Sequence, residues 1–318
     1  MPQKKSTHPG LDANPIQGST SEELCLMGPR HLSSHLRFVE ESAAAGEQAD
    51  PSKIAQFWRT AAAIYRQLEV TEAAAADDPQ IERLPGAVQR HVDKLIEMPV
   101  FRTTFNTVPV AFGMVELDKL IVSQYYITRA IAERLRASCV PPISDKALAE
   151  LCLPTTPPGS DFKLAGKDSN EFVFVSGSHD MRFLGATLVD PASIAGLSVQ
   201  GHVKAVVALS VGFSSNLLNT VRFGNRVVLN DGHHRAYVLR AMGFTHVPCV
   251  IQVCGSYEEI RLAATPEIYD NSDLYFESPR PPLLRDFDRP DLACHLTTQR
   301  LRRQINLRFK VESRQLAI

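Results

Sequence analysis

The sequence predicts an α/β protein of mixed α+β type, and three observations predict it. Apolar residues recur at three- and four-residue steps between positions 54 and 68. Short β-rich runs follow one another between positions 171 and 253. Within that stretch, residues 227–253 read as strand, glycine turn, helix, strand. The chain has 318 residues, enough for one large domain or two modest ones.

In the first helical stretch, Ile54, Phe57, Trp58, Ala61, Ile64, Tyr65 and Leu68 form one stripe that faces a core. Asp50-Pro51-Ser52 supplies the start signal, with proline just inside the first turn. Trp58, the only tryptophan, is expected to anchor the core. A second helix is expected over 85–97, with Val88, Val92, Leu95 and Ile96 inward. Residues 36–97 carry no recognisable chemistry.

The character changes at Val108. Residues 108–120 read as extended and 125–138 as helical. A short helix over 146–152 lies among Pro141, Pro142, Pro154, Pro157, Pro158 and Gly159. Residues 171–176 and 182–189 read as strands, with Gly177-Ser178-His179-Asp180 between them as a hairpin tip. Another β-rich run covers 203–211. Gly224-Asn225 suits a tight turn between 220–223 and 226–229. Ile305, Leu307, Phe309 and Val311 alternate with Asn306, Arg308 and Lys310, the two-residue period of a half-buried strand. The expected organisation is a flexible tail (1–30), a helical extension (31–107), an α/β domain (108–254) with a β-hairpin insertion near 145–215, and a C-terminal extension with a basic strand (255–318).

Composition narrows the function classes. Lysine plus arginine number 34 and aspartate plus glutamate 35, so no general basic surface for nucleic acid is indicated. The six cysteines form no C-x-x-C pair, which argues against a metal knuckle and for free thiols. The start of the chain lacks the apolar core of a signal peptide, and the apolar run at 205–213 is too short to span a bilayer. A cytoplasmic protein without membrane association is expected.

The residues that point to chemistry are Asp231, Gly232, His233, His234 and Arg235. A helix opens with backbone N–H groups that lack intrahelical partners, and its dipole adds partial positive charge there. Gly232 lets a ligand approach the backbone, and Arg235 offers a forked pair of donors to phosphate oxygens. His233 and His234 add donors. Asp231 is the expected helix cap, with a further role in orienting a histidine or a hydrated magnesium ion. Gly243 stops the helix.

The run from Leu229 to Gly243, with Val247-Pro248, resembles the second motif of the ParB/sulfiredoxin superfamily. The stretch from Val115 to Gln124 is similar to that domain's first strand and loop. Together they cover about a tenth of the chain. The resemblance implies a turn that grips nucleotide phosphates. Its Asp-Gly-His-His-Arg wording is closest to the free serine kinase-like branch. A sulfiredoxin would carry its catalytic cysteine where His233 stands, and no helix-turn-helix reader of the partition-protein type follows Val253. The kinase branch would place an acidic base just after the first strand, where Ser123 and Gln124 stand, so Glu116 and Asp118 are the nearest carboxylates.

The resemblance thus implies a protein that binds a nucleotide or a phosphorylated small molecule, a phosphotransferase or nucleotide hydrolase if it turns over, using a nucleoside di- or triphosphate with Mg2+. His233, His234 and Asp231 would be its catalytic residues. Gly232, His233, His234 and Arg235 would be its phosphate ligands, with Glu116, Asp118, Gln124, Ser214, Ser215 and Asn216 as accessory positions. Ser214-Ser215-Asn216 is either a ligand-contacting loop or a turn with hydroxyl caps. The alternative function is a non-catalytic DNA-associated adaptor with a nucleotide switch, drawing on the basic run Arg300, Arg302, Arg303, Arg308, Lys310 and Arg314. A homodimer is compatible with either. His31 and His35 share i, i+4 spacing but have no third ligand, so no metal site is expected.

Overall fold

The computed structural model describes residues 20–42, 50–156, 161–168, 170–178, 180–194, 196, 201–300 and 302–316. Residues 1–19 of the expected tail, the 157–159 segment and His179 lie outside the described residues. The fold is mixed α+β, as the sequence predicts.

The chain enters the fold earlier than expected. Residues 20–30 were assigned to the tail, yet β1 (Thr20–Leu26) is a strand whose Leu24, Cys25 and Leu26 pair with later residues. Helices α1 (Leu32–Ser42) and α2 (Pro51–Thr71) follow. Asp50 caps α2 by accepting from Ser52 N–H at 2.8 Å, and Pro51 occupies the first turn. Ile54, Ala61, Tyr65 and Leu68 of its stripe are buried. Trp58 is only half-buried: its ring N–H donates to the Arg30 carbonyl at 2.7 Å, so the indole ties down a loop instead of anchoring the core.

After β2 (Ile81–Glu82), α3 (Gly86–Leu95) buries Val88, Val92 and Leu95. Ile96 lies past its end and is exposed, because the chain turns there into α4 (Pro99–Thr104). Strands β3 (Val110–Glu116), β4 (Ile121–Val122) and β5 (Tyr126–Thr128) lead into α5 (Arg129–Ser138) and α6 (Asp145–Cys152). Ser144 caps α6, and its Leu148, Ala149 and Cys152 are core residues rather than part of a detached insertion.

The detached part is made by β6 (Phe162–Lys167), β7 (Glu171–Ser176), β8 (Arg182–Val189) and β9 (Val206–Gly212). The expected β7–β8 hairpin does not form. β7 pairs with β6 on one edge and with a C-terminal strand on the other, while β8 pairs with β9. With both edges of β7 occupied, β8 has to find another partner.

Next come β10 (Asn219–Phe223), β11 (Arg226–Asp231), α7 (His233–Ala241) and β12 (His246–Cys254), then α8 (Tyr257–Ala263) and α9 (Pro266–Tyr269). Strand β13 (Ala293–Gln299) returns to pair with β1, and β14 (Arg303–Arg308) is the partner of β7. Among the described residues a six-stranded mixed sheet runs β2-β3-β12-β10-β11-β4, and a second sheet runs β13-β1-β5. Val227, Val228 and Leu229 of β11 are all fully buried, as expected of a strand covered on both faces.

Segment 255–318 is not peripheral. Tyr275, Leu283, Leu284 and Leu292 are fully buried, and Asp286 joins Arg280 and the Tyr65 hydroxyl in a buried network. The cysteines are free thiols, buried or half-buried. No helix among the described residues is long and apolar enough to cross a membrane.

Candidate anion-binding site

The strand–turn–helix unit forms where the sequence places it. Gly232 sits at the head of α7 with φ +95°, a left-handed conformation that L side chains resist. A β-carbon there would also lie 2.9 Å from Leu218 Cγ and 3.2 Å from the Leu218 Cα. At the other end Gly243 adopts φ +89°. Its N–H bonds the Arg240 carbonyl while Phe244 N–H bonds Leu239, closing the helix. Ala236, Val238 and Leu239 face inward, and Ala241 is exposed.

Asp231 is not the cap. Gly232 occupies that position, and no side chain caps α7. Asp231 Oδ1 instead accepts the adjoining Gly232 N–H at 2.6 Å, and its Oδ2 lies 3.3 Å from Ser214 Oγ. The start of α7 is therefore left without a side-chain cap among the described residues, where the helix dipole favours an acceptor.

Arg235 turns inward and is buried. Its Nη1 donates to the carbonyls of Leu151 and Cys152, in the last turn of α6, at 3.2 and 3.3 Å, and to Asn216 at 2.6 Å. Asn216 adopts φ +54° in the loop that presents this carbonyl. Nη2 is buried without a hydrogen-bond partner, and among the described residues no carboxylate lies within ion-pair distance of this guanidinium. A buried positive charge left in that state is costly, so the surroundings of Nη2 favour an anion.

The histidines serve differently from expectation. His233 is buried, and its Nε2 accepts from the amides of Ser123 and Gln124 at 3.3 and 3.2 Å. Burial first, and then the neighbouring His234, push its pKa down to about 3. It is a neutral acceptor that pins the β4–β5 loop to α7. His234 Nε2 likewise accepts from Thr128 N–H at 3.0 Å. Because Nε2 is an acceptor in both rings, neither presents a charged Nε2–H to a phosphate.

The His233 shift has a pH consequence. Across the window from its ordinary value of 6.5 down to about 3, the unfolded chain binds more protons than the folded one. Stability therefore falls as pH falls through that window, by up to about 1.4 kcal/mol per pH unit. His35, pushed to about 4 by burial and Arg30, adds to the same slope. Urea unfolding at a series of pH values should show a shallower loss for His233→Gln than for the wild type; identical slopes would mean that His233 is not held neutral.

Of the accessory positions, Gln124, Ser214 and Asn216 come to the turn, and Ser215 lies half-buried between the last two. Glu116 and Asp118 do not. Asp118 pairs with Arg240 at 2.7 Å, a helix length of about 12 Å from Gly232. Glu116 accepts from Gln80 N–H at 2.8 Å and is paired in register with His246. Two contributors carry no sequence signal for this role: Ser123 and Thr128 take part through main-chain amides. Asp180, read as a turn aspartate, reaches the site by accepting from the Ser214 amide and hydroxyl at 2.8 and 2.7 Å.

A cleft of about 740 Å³ is lined by Arg30, His31, Arg37, Glu267, Asp270 and Asp273 among others, and no residue of the α7 turn or of the 214–216 loop lines it. Arg30 stacks over Tyr125, the neighbour of Gln124, with its guanidinium carbon 4.4 Å from the ring centre, and pairs with Glu267. Asn230, at the end of β11, accepts from Thr265 N–H at 2.9 Å, which fixes the start of α9 and hence Glu267. Among the described residues no group of three or more potential metal-binding side chains is assembled.

No family model, curated protein or solved structure matches this chain.

Proposed function

We propose that the chain is a ParB/sulfiredoxin-like protein that binds a nucleotide or a phosphorylated small molecule at the α7 turn. The observation that carries this reading is Arg235, a buried guanidinium with a free Nη2 and no carboxylate partner, in the first turn of an uncapped helix. Phosphate oxygens would satisfy both the amides and the cation. Arg235 also braces α6 and the 214–216 loop, so the phosphate meets one free guanidinium nitrogen instead of the forked pair expected from the sequence.

Phosphoryl transfer is the reaction class such a turn would serve, by holding and neutralising the phosphate. Asp231 is the carboxylate at the turn, placed to exchange a proton with the bound group. His233 and His234, occupied as acceptors, support the turn rather than the reacting group. Asp180 and Asp231 stand beside Arg182 and Arg235, a donor set that fits a protein-held magnesium ion poorly.

The DNA-adaptor alternative gains little from the C-terminal strand. Arg308 pairs with Glu171, Lys310 and Arg314 pair with Glu312, and Phe309 stacks on Phe172.

Thermal unfolding should rise in the presence of a nucleoside di- or triphosphate, by about 2.7 kcal/mol in stability at a hundredfold excess over Kd. A panel of nucleotides with and without magnesium, followed by product analysis, tests this. Unchanged melting across the whole panel, with inorganic phosphate also inert, would overturn the reading.

A further inference from the structure

Two carboxylates beside the turn share one hydroxyl. Ser214 Oγ lies 2.7 Å from Asp180 Oδ2 and 3.3 Å from Asp231 Oδ2. A hydroxyl has one proton to donate. Asp180 is the better-placed acceptor: its Oδ2 also receives the Ser214 amide at 2.8 Å, and Arg182 pairs with its Oδ1. The serine proton therefore goes to Asp180. Asp231 then faces the lone pairs of Oγ, an arrangement that repels a carboxylate and accepts a hydrogen bond from a carboxylic acid.

Charge balance leads the same way. The charged groups that face Asp231 are Arg235 on α7, and Asp180 and Arg182 around the start of β8. Asp180 and Arg182 cancel as an ion pair. With Asp231 ionised, its charge offsets that of Arg235 and the neighbourhood offers an anion little. With Asp231 neutral, the buried positive charge of Arg235 remains at the start of α7, which has no side-chain cap among the described residues.

We propose that anion binding at the α7 turn is proton-coupled: the ligand binds with Asp231 as the neutral acid, hydrogen-bonded to Ser214, which Asp180 holds in place from the inserted strands. This rests on the anion-site reading above and adds its regulation. Burial, reinforced by the charge of Asp180 and opposed by Arg235, raises the Asp231 pKa, the direction the coupling needs. An acid whose proton is required for binding loses affinity as pH rises through its pKa. Asp180 is a positioning residue here, since it acts on the ligand only through Ser214 and Asp231.

The test uses the full chain and sulfate, a phosphate mimic whose charge stays constant between about pH 4 and pH 8. Calorimetric titration in buffers of different ionisation enthalpy should show proton uptake with sulfate binding. Affinity should fall about tenfold per pH unit above the Asp231 pKa. Asp231→Asn should bind sulfate with no such dependence, and Asp180→Asn should move the onset of the fall to lower pH. A flat pH profile with no proton uptake, or an Asp231→Asn protein that keeps the wild-type slope, would overturn the coupling and leave the anion site standing. No sulfate binding at any pH would remove the site and the coupling together.

Discussion

Replacing Gly232 with alanine should destabilise the protein by about 2–5 kcal/mol and abolish anion binding in whatever fraction still folds. The left-handed backbone costs an L residue about 1–2 kcal/mol, and overpacking a filled site about 1–3 kcal/mol more. Both terms apply, since the residue has φ +95° and the new β-carbon would meet Leu218 at 2.9 Å. Part of that contact is with the Leu218 Cα, so a change of side-chain rotamer cannot relieve it. Leu218 is anchored as well: its N–H bonds the Cys152 carbonyl and its carbonyl receives Val250 N–H. Relief must come from the turn, which would swing the α7 amides off target. Urea unfolding measures the cost, and a wild-type midpoint would show that the turn is not built as described.

Arg235→Ala is the second large effect. Sequence alone casts Arg235 as a ligand contact. The three carbonyls gathered on its Nη1 change that expectation. Bonds from a charged donor contribute about 1.5–3 kcal/mol each, and some of that is offset because the unpaired charge disappears with them. A net loss of about 3 kcal/mol is expected, together with loss of sulfate or nucleotide binding. Arg235→Lys separates the two roles. It keeps the charge but not the fork, so it should retain weakened anion binding while recovering part of the stability. Ligand titration and urea unfolding of the same pair of variants check this. An Arg235→Ala protein that binds nucleotide as the wild type does would leave the guanidinium a brace and nothing more.

The unit from β11 to β12 was legible because its signals are local. Gly232 and Gly243 mark the two ends of α7 through their own backbone requirements, and Asp50-Pro51 marks the start of α2 in the same way. What the sequence concealed depends on distant partners. His233 looks like a phosphate donor until Ser123 and Gln124, some 110 positions earlier, occupy its Nε2. Asp118 looks close to the site in the chain, yet the fold delivers it to the wrong end of α7. The β7–β8 hairpin failed because adjacency suggested a partner that β6 and β14 had already displaced. Residues 20–26 read as tail because a strand with Ser21, Glu22 and Glu23 has too little apolar character to announce itself without β13 beside it.

That last pairing bears on how the protein is made. Residues 20–26 wait on the ribosome until residues 293–299 have emerged, because β13 supplies one of the two edges that β1 needs. Through most of synthesis β1 has only β5 to lean on, in a three-residue ladder, so its other side is open to foreign chains. Closure over so long a loop is slow. Glu22 and Glu23 give the waiting strand a double negative charge, which keeps copies of the nascent chain apart until the partner arrives.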